Sequence, residues 1–137
     1  MYDQKILGLD EASVALDAVL ASATTDGGGP IAVCVVDPEG DTIAFARMDG
    51  AGHLPRSMAT RKAYTSARMG ADSGTYGDRM RSAGIDLKDL GDPKVVGFAG
   101  ALCLRVGDSV VGAIGVSGRA ADQDEALARI GASALGL

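Results

Sequence analysis

Ser57, Arg61, Tyr64 or Thr65, and Arg68 recur at spacings of three and four, so a helix through them lines hydroxyls and guanidinium groups along one side. Arg56 and Lys62 stand beside members of that stripe, and Arg47 closes an apolar run just upstream. Such a stripe suits a small anion, because a guanidinium grips a carboxylate or phosphate through paired hydrogen bonds. Ahead of it lie Asp49 and His53, within Asp49-Gly50-Ala51-Gly52-His53-Leu54-Pro55. His53 is the one histidine of the chain, hence its only side chain with an ordinary pKa near neutrality and its only imidazole for a metal or a haem iron. With Asp49 and Tyr64 it forms a set able to exchange a proton with a bound acid, the chemistry of a cofactor-free isomerase, lyase or hydrolase.

Other chemistries find little support. A single histidine does not make a protein zinc site, and Cys34 and Cys103 lack ligand spacing and sit in apolar runs where cysteine behaves as a small hydrophobe. There is no Gly-x-Ser-x-Gly, and Ser57 is expected to cap its helix, which would use the lone pairs a nucleophile needs. Gly27-Gly28-Gly29 precedes a strand, the reverse of the strand-glycine-helix order that seats phosphates. Gly112, Gly115 and Gly118 fall in a strand-like segment, where glycine marks sheet curvature or a close approach by a ligand or another backbone.

The elements that must position these groups follow from local patterns. Asp10 to about Thr24 carries Ala12, Leu16, Val19, Leu20 and Ala23 at helical spacing and stops at Asp26-Gly27-Gly28-Gly29-Pro30. Ile31–Asp37 and Thr42–Met48 flank a short turn, as do Ala101–Val106 and Val110–Val116, and such short turns force antiparallel pairing. Val95–Phe98 is a candidate fifth strand. Between the hairpins, Pro55 should keep Leu54 extended and Ser57 should open the central helix, whose Ala59, Ala63 and Ala67 form a small-residue stripe for the sheet. The stretch after that helix reads as loop. Asp122 and Glu125 have capping-box spacing at the start of a last helix with Leu127, Ile130 and Ala134 on its apolar face.

At 137 residues the chain is a single domain, residues 1–137, and 47% apolar with 23% charged residues is the balance of a globular protein. No apolar run is long enough to span a bilayer and the first ten residues lack a secretory core, so a cytoplasmic protein with no membrane partner is expected. A net charge of −5 argues against nucleic acid as a partner. Residues 56–81 nevertheless carry six cations against two acids, a local positive region suited to a small anion. Twenty glycines and no tryptophan leave the core to small and branched side chains, so burial against further copies is a plausible supplement.

Asp37-Pro38-Glu39-Gly40, Arg47-Met48-Asp49-Gly50-Ala51, Arg61-Lys62-Ala63-Tyr64-Thr65-Ser66-Ala67, and Val111-Gly112-Ala113-Ile114-Gly115-Val116-Ser117-Gly118 with Gln123-Asp124-Glu125 together resemble the GlcG/HbpS-type family. This haem-binding or haem-degrading family includes the C-terminal domain of PduO-type corrinoid adenosyltransferases, and the resemblance runs in order over nearly the whole chain. It implies an α/β (α+β) profilin-like sandwich with an antiparallel five-stranded sheet flanked by helices, assembled as a dimer or larger homo-oligomer. It also implies haem or a related tetrapyrrole as ligand. At the basic corner, Arg47, Arg56, Ser57, Arg61, Lys62, Thr65 and Arg68 would bind and His53 would be the axial candidate, the latter on residue chemistry alone. The alternatives are an acid/base enzyme using His53, Asp49 and Tyr64 on a small anionic catabolic intermediate, and an assembly role without ligand.

Overall fold

Ala32–Val36 (β1) is buried at all five positions, as its unbroken apolar run requires of a strand covered on both faces. It pairs antiparallel with Thr42–Arg47 (β2) on one side and Ser109–Ser117 (β4) on the other, and β4 pairs with Ala101–Val106 (β3). The sheet order is therefore β2-β1-β4-β3. The structure, a computed structural model, describes residues 1–137. One sheet face, with Ile31, Val33, Val35, Leu102, Leu104, Ile114 and Val116, packs on Leu9–Ala23 (α1) and Ala121–Ala134 (α4). The other, with Ala32, Cys34, Val36 and Ala113, packs on Ala59, Ala63 and Ala67 of His53–Met69 (α2), the small-residue stripe in its expected place.

The sheet has four strands, not five. Val95–Phe98 forms no ladder because its backbone groups are taken by side chains: Val96 N–H donates to Thr65 Oγ1 at 3.0 Å, and Gly97 C=O accepts from Arg81 Nη1 at 3.1 Å. The presumed loop before it contains a helix, Ser73–Ser82 (α3), and a 3-10 turn at Leu87–Leu90. Gly74 and Gly77 weaken helix propensity and hide α3 from a pattern reading. Tertiary packing needs them, since a Cβ on Gly77 would overlap the Gly97 carbonyl and one on Gly74 would lie 2.7 Å from Ala99 Cβ.

The central helix starts earlier than its serine suggested. Gly52 is the N-cap, so Leu54 is helical and Pro55 occupies the third helical position, where the missing N–H is one that would lack an intrahelical partner anyway. Ser57 consequently caps nothing. In α4 the cap is Ala120, and Gln123 rather than Glu125 reaches back, its Oε1 accepting from Ala120 N–H at 3.4 Å. The buried side of α4 is Leu127, Ala128, Gly131 and Ala132, while Ile130 and Ala134 face outward, because Gly131 is the point at which α4 meets Val19 of α1.

Arg119 fastens the end of α1 to the start of α4. Its Nη1 donates to Asp26 Oδ2 at 2.6 Å, Nη2 to Asp26 Oδ1 and Ala23 C=O, and Nε to Gly29 C=O. The hydrogen bond from Arg119 holds Asp26 below its ordinary value of 3.8, aided by the Gly28 amide. A depressed carboxylate contributes stability above its unfolded value and loses it as pH falls through the folded one. Asp26→Asn should therefore flatten the fall in stability that the wild-type protein shows below about pH 3.8, read from urea midpoints across acid pH. An unchanged acid limb would mean that Asp26 is not titrating against Arg119.

Candidate functional site

Two cavities flank α2. On the β2 side, a recess of about 460 Å³ lies between the end of the β1–β2 hairpin, which contributes Gly40 and Asp41 of the turn and Thr42 at the start of β2, and the helix, which contributes Ser57, Thr60, Arg61 and Tyr64; Lys94 closes it. On the β4 side, a cleft of about 360 Å³ is walled by Leu54, Met58, Phe98, Ala99 and Ala121 and floored by Lys62, Ser117, Arg119 and Asp124. A helix can serve both because positions 57, 60, 61 and 64 share one flank while 54, 58 and 62 share the next.

Of the expected site residues, Ser57, Arg61 and Tyr64 come together in the polar recess. Arg68 adjoins them, its guanidinium 5.7 Å from the Tyr64 ring centre, but it is paired with Glu39 at 3.1 Å. Tyr64 Oη donates to Asp92 Oδ2 at 2.6 Å, and that bond holds the phenol above its ordinary value while pulling Asp92 below its own. The Tyr64 proton is thus committed to Asp92, which makes this phenol a poor base near neutrality. Thr60, Thr42 and Lys94 also line the recess and were missed. Thr60 lies three residues from Ser57 on the same helix and was within reach of the spacing argument. Lys94 and Thr42 arrive from other segments and have no local signal.

The remaining expectations scatter. Arg47, Asp49 and His53 are exposed and line neither cavity, so the structure does not gather His53, Asp49 and Tyr64 around one point. Arg56 Nε donates to Gly52 C=O at 3.1 Å, within the first turn of its own helix. Thr65 is fully buried, donating to Arg61 C=O and accepting from Val96 N–H, so its hydroxyl faces away from the basic stripe and holds the 95–98 segment.

Lys62 departs most from the expected ligand-binding stripe. Only 4% exposed, it donates from Nζ to Asp124 Oδ2 and to Val116 C=O, each at 3.1 Å, while Asp124 Oδ1 accepts from Arg119 N–H at 2.9 Å. Burial pushes the Asp124 carboxyl up, and the Lys62 charge opposes that shift without overcoming it. An ammonium has three donors, and two of them are used by these acceptors. Gly100, at φ +134°, makes room for this lysine: a Cβ there would lie 2.6 Å from Nζ. No local pattern announces a pair 62 residues apart in sequence.

Comparison with known proteins agrees with the fold and narrows the class. A family model described as haem degrading protein HbpS-like matches residues 7–133. An uncharacterised 15.0 kDa protein from the dhaT–dhaS intergenic region of Citrobacter freundii is 33% identical over 101 residues, 72% of this chain and 71% of that protein. The crystal structure of a double mutant of HbpS from Streptomyces reticuli superposes with a TM-score of 0.90 at 34% identity, covering 100% of this chain and 92% of that one. A complex of PduOC with haem matches at a TM-score of 0.85 and 25% identity over 94% of both chains. With a family model spanning residues 7–133 and a structure of HbpS superposing over the whole chain at 34% identity, the chain belongs to the HbpS-like family of haem-degrading proteins.

Proposed function

We propose that this protein is a small-ligand-binding module that takes haem or a related tetrapyrrole in the cleft beside Leu54, Met58 and Phe98. The observation that carries the reading is that Leu54 and Phe98 are 66% and 62% exposed although both line one concavity. Large apolar side chains left in water around a cleft are what a flat apolar ligand covers. The ligand class is supported by the haem-degrading family and by the haem complex of the similar PduOC. The recess on the other flank offers only Tyr64 as an apolar surface, so the macrocycle is assigned to the cleft rather than to the basic corner.

The cleft residues fit such a group in kind. Met58 brings a thioether to its wall, and His53 stands one residue before Leu54 at the helix start; both are donors of the type haem iron accepts. When bound, haem supplies an iron centre for electron and oxygen chemistry. The chain itself stacks Phe98 and Leu54 on the ligand and excludes water from that face. Self-association belongs to the same reading, because α2 leaves the edge strand β2 partly uncovered, with Phe45 42% exposed, and a second copy would bury it.

Hemin titration followed at the Soret band is expected to saturate, and Phe98→Ser should weaken binding by about tenfold or more, the equivalent of about 1.4 kcal/mol. Of Met58→Leu and His53→Ala, the variant that moves the Soret maximum names the axial donor. Titration that never saturates, or that is indifferent to Phe98→Ser, ends the reading. A native mass spectrum of the protein from its own host reports the number of copies and the retained ligand together.

A further inference from the structure

The polar recess shares no residue with the cleft. Its two cations are free: the five ion pairs of the fold involve neither Arg61 nor Lys94, and the Lys94 ammonium merely sits 5.2 Å from the Tyr64 ring centre. Both are exposed, so each gives up little hydration to meet a ligand at the rim. Between them stand three hydroxyls. Ser57, released from the capping role its sequence position suggested, makes no side-chain hydrogen bond within the protein, and Thr60 lies one turn further along the same flank. Thr42 Oγ1 touches only the Cys34 sulfur, at 3.6 Å. The single carboxylate in the lining is Asp41, whose side chain has no partner; Asp92, just outside, is occupied by Tyr64 and by the Lys94 amide.

We infer that this recess is a second binding site, for a small oxyanion that also carries hydroxyl groups. Arg61 and Lys94 supply charge-assisted hydrogen bonds to the oxyanion. Ser57, Thr60 and Thr42 donate to or accept from the hydroxyls, and Asp41 accepts from them. The Asp41 carboxylate discriminates: it repels a bare, highly charged anion and rewards one that offers donors beside its charge. A volume of about 460 Å³ with a polar lining suits a hydroxycarboxylate or a sugar phosphate, and the shared chemistry is an oxyanion next to a polyol. The site does not depend on the tetrapyrrole reading, since no residue serves both.

Calorimetric titration of the full-length protein with L-tartrate, ribose 5-phosphate and erythritol tests it. At least one of the two anions should bind saturably, the tighter naming the oxyanion, while uncharged erythritol should not bind. Arg61→Gln combined with Lys94→Gln should weaken that anion by about tenfold or more, and Thr60→Val by a smaller factor. Both cations are exposed and unpaired, so the melting temperature and the hemin titration of the double variant should match those of wild type. The inference is overturned if neither anion saturates, if erythritol binds as well as they do, or if the double variant keeps wild-type affinity. Loss of hemin binding with anion binding intact would instead strike the cleft reading alone.

Discussion

Lys62→Met is expected to destabilise the fold by about 3–5 kcal/mol at neutral pH, the range found when one partner of a buried ion pair is removed and the other stays. Methionine keeps most of the side-chain length and fills the channel beside Gly100, so the loss reports charge rather than volume. What remains is Asp124, 1% exposed, with Oδ2 deprived of the ammonium and the carboxylate left to backbone amides, Arg119 N–H donating to Oδ1. Burial already raises this carboxyl above its ordinary 3.8 with the ammonium present, and removing the ammonium raises it further. A raised folded value means that the native state binds the proton more readily than the unfolded chain. The stability attached to that proton is complete below the ordinary carboxylate value and is withdrawn as pH rises through the folded one. The penalty of Lys62→Met should therefore be largest at neutral pH and shrink on acidification, as urea midpoints between pH 4 and 8 would record. Adding Asp124→Asn should recover part of the loss at neutral pH. A single variant within about 1 kcal/mol of wild type at pH 7 would show that the pair is not what fixes α2 against α4.

Gly115→Val is expected to cost about 3 kcal/mol or more, at the upper end for overpacking, because the atoms in its way are backbone. In β4, Gly115 lies opposite Cys34 of β1 and Ala101 of β3, facing the helix. A Cβ there would overlap the Ala59 carbonyl and lie 2.8 Å from the Ala63 amide. Side-chain rotation cannot relieve such a contact. The helix must lift, and α2 carries Ser57, Thr60, Arg61 and Tyr64 of the recess together with Leu54, Met58 and Lys62 of the cleft. Both ligand affinities should fall together, and amide exchange along α2 should quicken beyond the global loss. Gly29→Ala is the control: nothing lies within 4 Å of a Cβ there, and its stability should match wild type. If Gly115→Val were as mild as Gly29→Ala, the helix and sheet would not be in backbone contact. The strand glycine thus marks close approach by the chain's own helix rather than a ligand shelf or an interface.

Much of this fold is encoded in local rules. Both hairpins, the first and last helices and the alanine stripe were legible because period-two and 3.6-residue patterns and glycine turns depend on neighbours a few positions apart. The motif resemblance identified the family, and the gathering of Ser57, Arg61 and Tyr64 followed from helical spacing alone. Other features lie beyond local rules. Ser57 has the type and position of a cap, yet the helix begins four residues earlier, with Gly52 as an N-cap that makes no side-chain cap bond and Pro55 removing one of the free first-turn donors. Helix α3 was hidden by the two glycines that its packing on Gly97 and Ala99 demands. Lys62, expected to bind a ligand with the basic stripe, is instead buried against Asp124, a partner 62 residues away, and Lys94 and Thr42 reach the recess from remote segments. Sequence alone determined the two hairpins, the first and last helices and the central helix, since backbone sterics and short-range burial decide those, whereas α3 and the unpaired Val95–Phe98 segment depend on tertiary packing. Only the tertiary structure decided which charges are buried and paired and which stay free to bind, because solvation is set by what the rest of the chain lays over a residue.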